Sequence, residues 1–550
     1  MIVAKDGTGS FTTIQEAIDS ITSTNQERIT IYIKDGIYKE KLEIHKPNIS
    51  LVGTHRNKVK IVYDDYAKKE FPNGENMGTF WSYSTIITGD GFYAKNITFE
   101  NSAGSGSIVG QAIAAYVDAD RVEFHHCSFL GSQDTLFTGP LPPKPIETSR
   151  FGGPRDEEEK RVGRSYFSHC YIEGDIDFIF GSATSVFKSC EIHSLNRNKE
   201  INGYITAAST PYEEAYGYVF FDCFLTSDAK PRSVYLGRPW RDYAKTVFLR
   251  CWIDEHIKET GWHDWDKPLA RENAYYAEYN NHGPGADMDK RTPWVHILPK
   301  EEAENYKIET IFGSLQDWPT LGKLEKAGVH IFLAGDSTME EVKADQGNKR
   351  GWGEFLDPFF IDDVLIINEA RGGRSSKSFI NEGHLNLILN RIMPGDYLFI
   401  QFGHNDQKAE EERATDPFTT YQEYLSVFVE GAKEKGAIPV LLTSINRRTF
   451  DEDGNFVNSL GSYPDAVRQL GDHLMVPVID LYEKTKSLYE TFGAEETKKL
   501  FAWYALTNPS NPTDDTHFSS YGAEKMAELV AEGIEELSLP LREYLIKNYV

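Results

Sequence analysis

One short pattern recurs around every cysteine of the sequence and restricts the fold more than any other feature. The segments are EFHHCSFLG (123–131), YFSHCYIEG (166–174), VFKSCEIHS (186–194), FFDCFLTS (220–227) and VFLRCWIDE (247–255). Each carries an aromatic residue at or near three positions before the cysteine and an apolar residue two positions after it. An earlier segment, YAKNITFEN (93–101), puts Ile97 and Phe99 in the same phase. Alternate side chains of a strand share a face, so each cysteine and its +2 neighbour point the same way, inward. Similar short strands that recur through roughly 160 residues, with polar loops between, make a stacked β-solenoid in which each coil buries its inward residues on the next. The cysteines are then a ladder of small buried side chains. Their odd number, five, and the absence of a CxxC pair argue against a disulfide framework or a zinc site. The long stretch 139–164, rich in Pro, Gly and charge, is expected to lie over one face and wall a groove.

A chain of 550 residues is too long for one core, and near residue 320 the pattern changes. GKLEKAG (322–328) reads as a linker, dividing the chain into domains at 1–319 and 328–550 with 320–327 between. After it, apolar runs suited to buried parallel strands (329–335, 363–370, 396–403, 438–445, 476–482) alternate with helical patterns (378–392, 420–435, 463–473, 520–535). That is a doubly wound α/β domain.

Composition narrows the partners. A net charge of −26 gives no basic footprint for nucleic acid or an anionic membrane, and an acidic polysaccharide would need specific contacts. No apolar run is long enough to span a bilayer. The first residues, MIVAKDGTGSFTTIQEAI, show no signal-peptide pattern, so a cytoplasmic location is expected, or a secreted one if the chain is a trimmed form. A monomer is expected.

Four motifs of the first half carry chemistry: GQA (110–112), GSQDTL (131–136), GDIDFIFG (174–181) and LGRPW (236–240). In a regular strand Asp175, Asp177 and Ile179 share one face, with Ile176, Phe178 and Phe180 on the other, in the core. Together the motifs supply two carboxylates, two amides, one Arg and one Trp from successive coils. That set suits ester hydrolysis by a covalent route, with one carboxylate attacking, amides holding the oxyanion and a second carboxylate moving the proton. Here the sequence resembles the pectin methylesterases over residues 1–319, through DGTGSFTTIQEAI (6–18), GIYKE (36–40), GQAIAAYVDADR (110–121), GSQDTLF (131–137), LPPKP (141–145), YIEGDIDFIFG (171–181), YLGRPW (235–240) and WVHILPKEEAENY (294–306). The resemblance implies a right-handed parallel β-helix with a carbohydrate groove. It also implies Asp177 as nucleophile on a galacturonate C6 methyl ester and Asp134 as proton donor to methanol and then base toward water. Gln111 and Gln133 stabilise the oxyanion, Arg238 orients Asp177, and Trp240 with Phe137 contacts sugar; Asp175 is solvated or supporting. Tyr116 and Ser132 depart from the family, which often has Arg and an aromatic residue there, so subsite preference is where this chain would differ.

In the second half GDST (335–338) follows a strand directly. NEARGGRS (368–375), GHND (403–406) and DDTH (514–517) come after it in order. A Ser at a strand end, backbone and Asn donors, and a late Asp-x-x-His make a triad with an oxyanion hole. The stretch 328–550 resembles the SGNH hydrolases, and among them the rhamnogalacturonan acetylesterases, through AGDSTM (334–339), ARGGRSSKSF (370–379), FGHND (402–406) and DDTHF (514–518). This implies a flavodoxin-like α/β fold with Ser337 as nucleophile, His517 as base and Asp514 orienting it. The Ser337 and Gly373 N–H groups and Asn405 are the oxyanion donors, and His404 shapes a turn.

The expectation is a bifunctional pectin deesterase acting on pectin or pectic oligosaccharide, with no metal and no organic cofactor. A β-helix that only binds polysaccharide, beside one active acetylesterase, is the alternative. A lyase would need a Ca²⁺-binding acid cluster and a basic general base, which the motifs do not supply. Net acidity favours highly methylated chains, whose charge is masked.

Overall fold

The computed structural model describes all residues except 23–25, 147, 149, 322–328, 343–348, 361–363, 390–391, 410–411, 503–513 and 547–550. The linker read at 322–328 therefore lies outside the described residues. The chain divides into two compact units, Met1–Lys323 and Leu324–Val550. No helix among the described residues is long and apolar enough to cross a membrane.

The first unit is a right-handed parallel β-helix. Its strands form three parallel sheets of eleven, eight and seven strands, and the chain visits them in turn. One coil runs Val122–His125, Ser128–Leu130, Leu136–Thr138. The next begins at Arg164–Ser168, in register with Val122–His125.

The cysteine pattern explains why the coils stack. Phe124, Phe167, Phe187, Phe220 and Phe248, each three before a cysteine, are paired by strand register. Their rings stack with centroids 5.0, 4.7, 4.5 and 4.3 Å apart. Each later thiol donates to the carbonyl of the previous coil's phenylalanine, as Cys190 Sγ does to Phe167 O at 3.4 Å and Cys223 Sγ to Phe187 O at 3.3 Å. The +2 residues Phe129, Ile172, Ile192, Leu225 and Ile253 are fully buried in the same core. The residue immediately before each cysteine (His126, His169, Ser189, Asp222, Arg250) has φ of 50 to 55°. This single left-handed residue turns the chain from one sheet into the next. Non-glycine residues adopt the region at a cost, and Asn, Asp and His do so most readily.

The same device overturns the regular alternation expected for GDIDFIFG. Asp177 has φ 49°, and the register with the next coil shifts between Ile176 and Ile179. The bulge resets the side-chain parity. Phe178 and Ile179 both join the interior core, whereas Phe180 lies outside it, in an aromatic cluster with Phe80, Tyr116, Phe137 and Leu141. The expectations for Ile179 and Phe180 are thus reversed.

The second unit has a five-stranded parallel sheet ordered Val364–Asn368, Val329–Gly335, Tyr397–Gln401, Ile438–Leu442, Val478–Ile479. Alternate residues of Val329–Gly335 face two cores. Ile331 and Leu333 pack with Met526, Val530 and Ile534 of Ser520–Glu536. Phe332 and Ala334 pack with Phe379, Leu425, Phe428 and Val467, from helices on the other face. Two elements differ from expectation. The helix read at 378–392 is two, Ser376–Asn381 and His384–Leu389, parted at Gly383 with φ 82°. The last strand is only Val478–Ile479, because Asp480 accepts from the Glu483 N–H and starts the helix Leu481–Glu496.

Candidate active sites

On the seven-stranded face of the β-helix, backbone hydrogen bonds carry the motif residues from coil to coil. Ala112 N–H donates to Gln133 O at 3.1 Å, Asp134 N–H to Ile176 O at 3.1 Å, and Arg238 N–H to Thr206 O at 2.9 Å. Asp134 and Asp177 each sit two residues before a register pair, Leu136 with Ile179, and both have positive φ, 63° and 49°. Two equivalent left-handed turns thus hold the acids on neighbouring coils. Gln111 and Gln133 are half-buried, and Gln133 directly precedes Asp134.

Arg238 joins the pair from a later coil. Its Nε donates to Asp177 Oδ1 at 2.8 Å and its Nη2 to Oδ2 at 2.6 Å. The guanidinium lies between two rings, 3.9 Å from the Tyr204 centroid and 3.7 Å from that of Trp265. Neither ring belongs to a motif singled out in the sequence, and a tyrosine in a strand or a tryptophan in a loop carries no local signal of such a role. Gly237 is required next to Arg238, since a Cβ there would stand 2.0 Å from Thr206 Oγ1.

The two acids are separated by their surroundings. Burial pushes the Asp134 carboxyl well above the usual range; the neighbouring Asp177 charge adds to this and Arg238 opposes it. Burial also raises Asp177, against the hydrogen bonds and charge of Arg238 and the charge of Lys267. Arg238 opposes the rise at both acids but forks only onto Asp177, and this distinguishes the two carboxyls. Asp175 is not solvated: it is buried, accepts from Ser132 Oγ at 2.7 Å, and has Arg197 Nε at 3.8 Å. The family departure at Ser132 therefore supports the strand that carries Asp177.

The aromatic residues behave unequally. Trp240 is half-buried and packed against Phe80, Phe151 and Phe180. Phe151 comes from the 139–164 stretch, which lies on this face as expected. Phe137 is 0% exposed, beneath Phe80, Tyr116 and Phe180. It offers no free ring to a sugar and acts as the floor on which the groove aromatics pack, a correction to the contact role expected of it.

In the second unit Ser337, Gly373 and Asn405 lie beyond the carboxyl ends of strands, and Asp514 and His517 lie before the helix Ser520–Glu536, where α/β sheets place their sites. Ser337 Oγ is 2.9 Å from His517 Nε2, and His517 Nδ1 is 2.8 Å from Asp514 Oδ2. Asp514 Oδ1 also accepts the His517 and Thr516 N–H groups at 2.9 and 3.1 Å. These bonds hold its carboxyl well below the usual range despite burial. The loop before the helix is thereby a rigid clamp that presents the imidazole. Gly373 has φ 77°, and the N–H groups of Ser337 and Gly373 have no protein acceptor among the described residues. Asn405 is buried and its Nδ2 donates to Arg374 O at 3.1 Å, which ties the amide to the residue after Gly373. Glu340, unnoticed in the sequence, accepts the Gly372 N–H and pins the glycine turn. His404 is buried and outside the Ser337–His517–Asp514 chain; burial lowers its imidazole to about 4.

Each unit matches a known family. The Pectinesterase family model matches residues 1–140 and 148–314, and the GDSL-like Lipase/Acylhydrolase model matches residues 331–530. Rhamnogalacturonan acetylesterase RhgT of Bacillus subtilis (strain 168) is 49% identical over 227 residues, 40% of this chain and 97% of that protein. Pectinesterase 31 of Arabidopsis thaliana is 35% identical over 326 residues, 58% of this chain and 94% of that protein. The solved pectin methylesterase PemA from Erwinia chrysanthemi is 28% identical, with a TM-score of 0.47, covering 57% of this chain and 96% of that one. The chain is a carboxylic ester hydrolase that belongs to the pectinesterase family through its first unit and to the GDSL, or SGNH, hydrolases of the rhamnogalacturonan acetylesterase type through its second.

Proposed function

We propose that one chain removes two kinds of ester from pectic polysaccharide: C6 methyl esters of galacturonate at the β-helix and acetyl esters at the Ser337 site. The observation that carries this reading is that each unit holds its own complete ester-cleaving set, Asp134–Asp177–Arg238 in one and Ser337–His517–Asp514 in the other.

At the first site ionised Asp177 attacks the ester carbonyl, and Gln111 and Gln133 donate to the oxyanion. Collapse of the tetrahedral species breaks the bond to methoxide, which takes the proton of Asp134 and leaves as methanol. Asp134, now ionised, draws a proton from water as it attacks the acyl–Asp177 anhydride, regenerating both acids and freeing the galacturonate carboxyl. Arg238 holds both oxygens of Asp177 in line throughout. At the second site His517 Nε2 takes the Ser337 proton during attack on the acetyl carbonyl. The sugar hydroxyl leaves with that proton, and water repeats the sequence to release acetate. The Ser337 and Gly373 N–H groups and Asn405 face the oxyanion. Asp514 holds the imidazole tautomer.

The test is methanol and acetate release from methylated, acetylated pectin by wild type, Asp177→Ala and Ser337→Ala. Each variant is expected to lose only its own product. Methanol release that survives Asp177→Ala, or acetate release that survives Ser337→Ala, overturns the corresponding half. A non-catalytic β-helix would release no methanol in any of the three.

A further inference from the structure

The chain of contacts Ser337–His517–Asp514 does not end at the carboxylate. The Lys349 ammonium lies 3.1 Å from Asp514 Oδ2, the same oxygen that holds His517 Nδ1 at 2.8 Å. Hydroxyl, imidazole, carboxylate and ammonium therefore follow one another without a gap. Lys349 belongs to none of the motifs read from the sequence.

The backbone around Lys349 fixes it at this place. Arg350, the next residue, pairs with Phe518, the residue after His517, and its N–H donates to Phe518 O at 2.9 Å. Ala502 N–H donates to His517 O at 2.8 Å, so both residues of that loop are held. Glu354 Oε1 accepts the Gly351 and Val342 N–H groups, each at 3.1 Å. Trp352 is fully buried, and its backbone N–H donates to Thr338 O at 2.9 Å, next to Ser337. The short segment 349–352 is thus tied to the backbone just beyond His517 and just beyond Ser337.

The Lys349 side chain is 44% exposed and that of Asp514 only 11%, so solvent screens this ion pair in part. Its influence on the imidazole runs through the shared oxygen. A carboxylate favours a proton on the imidazole beside it; a second cation at that carboxylate offsets its charge and repels an imidazolium. Other ionisable groups surround the same imidazole. Glu340, from the turn after Val329–Gly335, and His404, from the loop after Tyr397–Gln401, both interact with it electrostatically. Asp515, on its own loop, is paired with Arg448 at 3.0 Å. Glu354 is pushed by burial to about 8 and keeps its proton through the acid range. All of these stay in place when Lys349 alone is changed.

We propose that Lys349 is a positioning residue that acts through Asp514, offsetting part of its charge so that His517 stays an available base in mildly acidic medium. This deepens the acetylesterase reading above and rests on it. The arrangement exchanges rate at higher pH, where a fully charged Asp514 would stabilise the imidazolium best, for activity at lower pH.

The test measures kcat/KM against pH in the full chain for 4-nitrophenyl acetate, with the Ser337→Ala rate subtracted. In Lys349→Met the acid limb is expected to move up by about half a unit to one unit, and the displacement shrinks at high salt. That variant is then about three- to tenfold slower than wild type below the limb and no slower above it. Lys349→Arg, which keeps the charge, keeps the wild-type limb. The position of a limb does not depend on how much of a variant is folded. A limb that stays in place in Lys349→Met, with or without a uniform loss of rate, assigns a structural role and overturns the proposal. An equal displacement in Lys349→Arg overturns it too. The small ester carries no sugar, so a displaced limb in a chain that releases no acetate from acetylated pectin would defeat the acetylesterase reading alone. A wild type no faster than Ser337→Ala on the small ester overturns both.

Discussion

Arg238 grips Asp177 through both carboxylate oxygens, at 2.8 and 2.6 Å, while Tyr204 and Trp265 sandwich the guanidinium from either side. The rings fix the plane of the fork, and the fork fixes the plane of the carboxylate, so in the proposed mechanism the attacking lone pair is aimed before substrate arrives. Lysine cannot reproduce that geometry, because an ammonium is a point charge without a fork. Arg238→Lys is expected to lower kcat for methanol release by about ten- to a hundredfold, with a smaller change in KM. Steady-state methanol assays on pectin check this; a kcat within twofold of wild type would remove Arg238 from an orienting role.

On the proposed mechanism the separated acids set a bell-shaped pH profile for methanol release. Asp177 must be ionised to attack, so the rate falls as pH drops below its raised pKa. Asp134 must be protonated to release methanol, so the rate falls again as pH climbs past its still higher value. Arg238 pulls both downward, and losing its charge raises both. The residual activity of Arg238→Gln is therefore expected to show both limbs at higher pH than wild type. A profile of kcat/KM against pH that keeps its limbs in place would contradict this electrostatic account.

At the other site Asp514 does two things with one carboxylate: Oδ2 holds His517 Nδ1, and Oδ1 holds the backbone that carries the imidazole. Asp514→Asn can keep much of the loop but presents an amide where the imidazole N–H needs an acceptor, favouring the wrong tautomer. Acetate release is expected to fall about a thousandfold or more, with methanol release unchanged. Paired assays on one preparation of the variant check both halves.

Much of this was legible in the sequence because it repeats. Phe at −3, Cys and an apolar residue at +2 report one solenoid phase five times over, and alternating strand and helix patterns after residue 328 report a sheet covered on both faces. The triad and the three first-site groups lie in contiguous motifs. Other features are not local. The burial of Phe137, and the positions of Tyr204 and Trp265 on either side of Arg238, depend on which coils become neighbours. The reversal of Ile179 and Phe180 follows from one left-handed residue, Asp177, whose φ a strand pattern does not encode. The helix Leu481–Glu496 was hidden because its first residues continue the apolar run of the strand, and only the Asp480 cap divides them.

The stacked phenylalanines bear on stability rather than chemistry. Phe187 lies between Phe167 and Phe220, with ring centroids at 4.7 and 4.5 Å, and its carbonyl accepts the Cys223 thiol. Strand pairing above and below keeps the backbone from collapsing into the space a smaller residue would leave. Phe187→Ala is therefore expected to cost the upper part of the usual range for such truncations, about 3–5 kcal/mol. A chain of two units does not unfold in a single two-state transition, so each activity serves as the probe of its own unit. In a guanidinium series, methanol release should be lost at clearly lower denaturant in Phe187→Ala than in wild type, while the midpoint for acetate release stays in place. Equal midpoints for methanol release would mean that the stacked rings contribute little to holding the coils together.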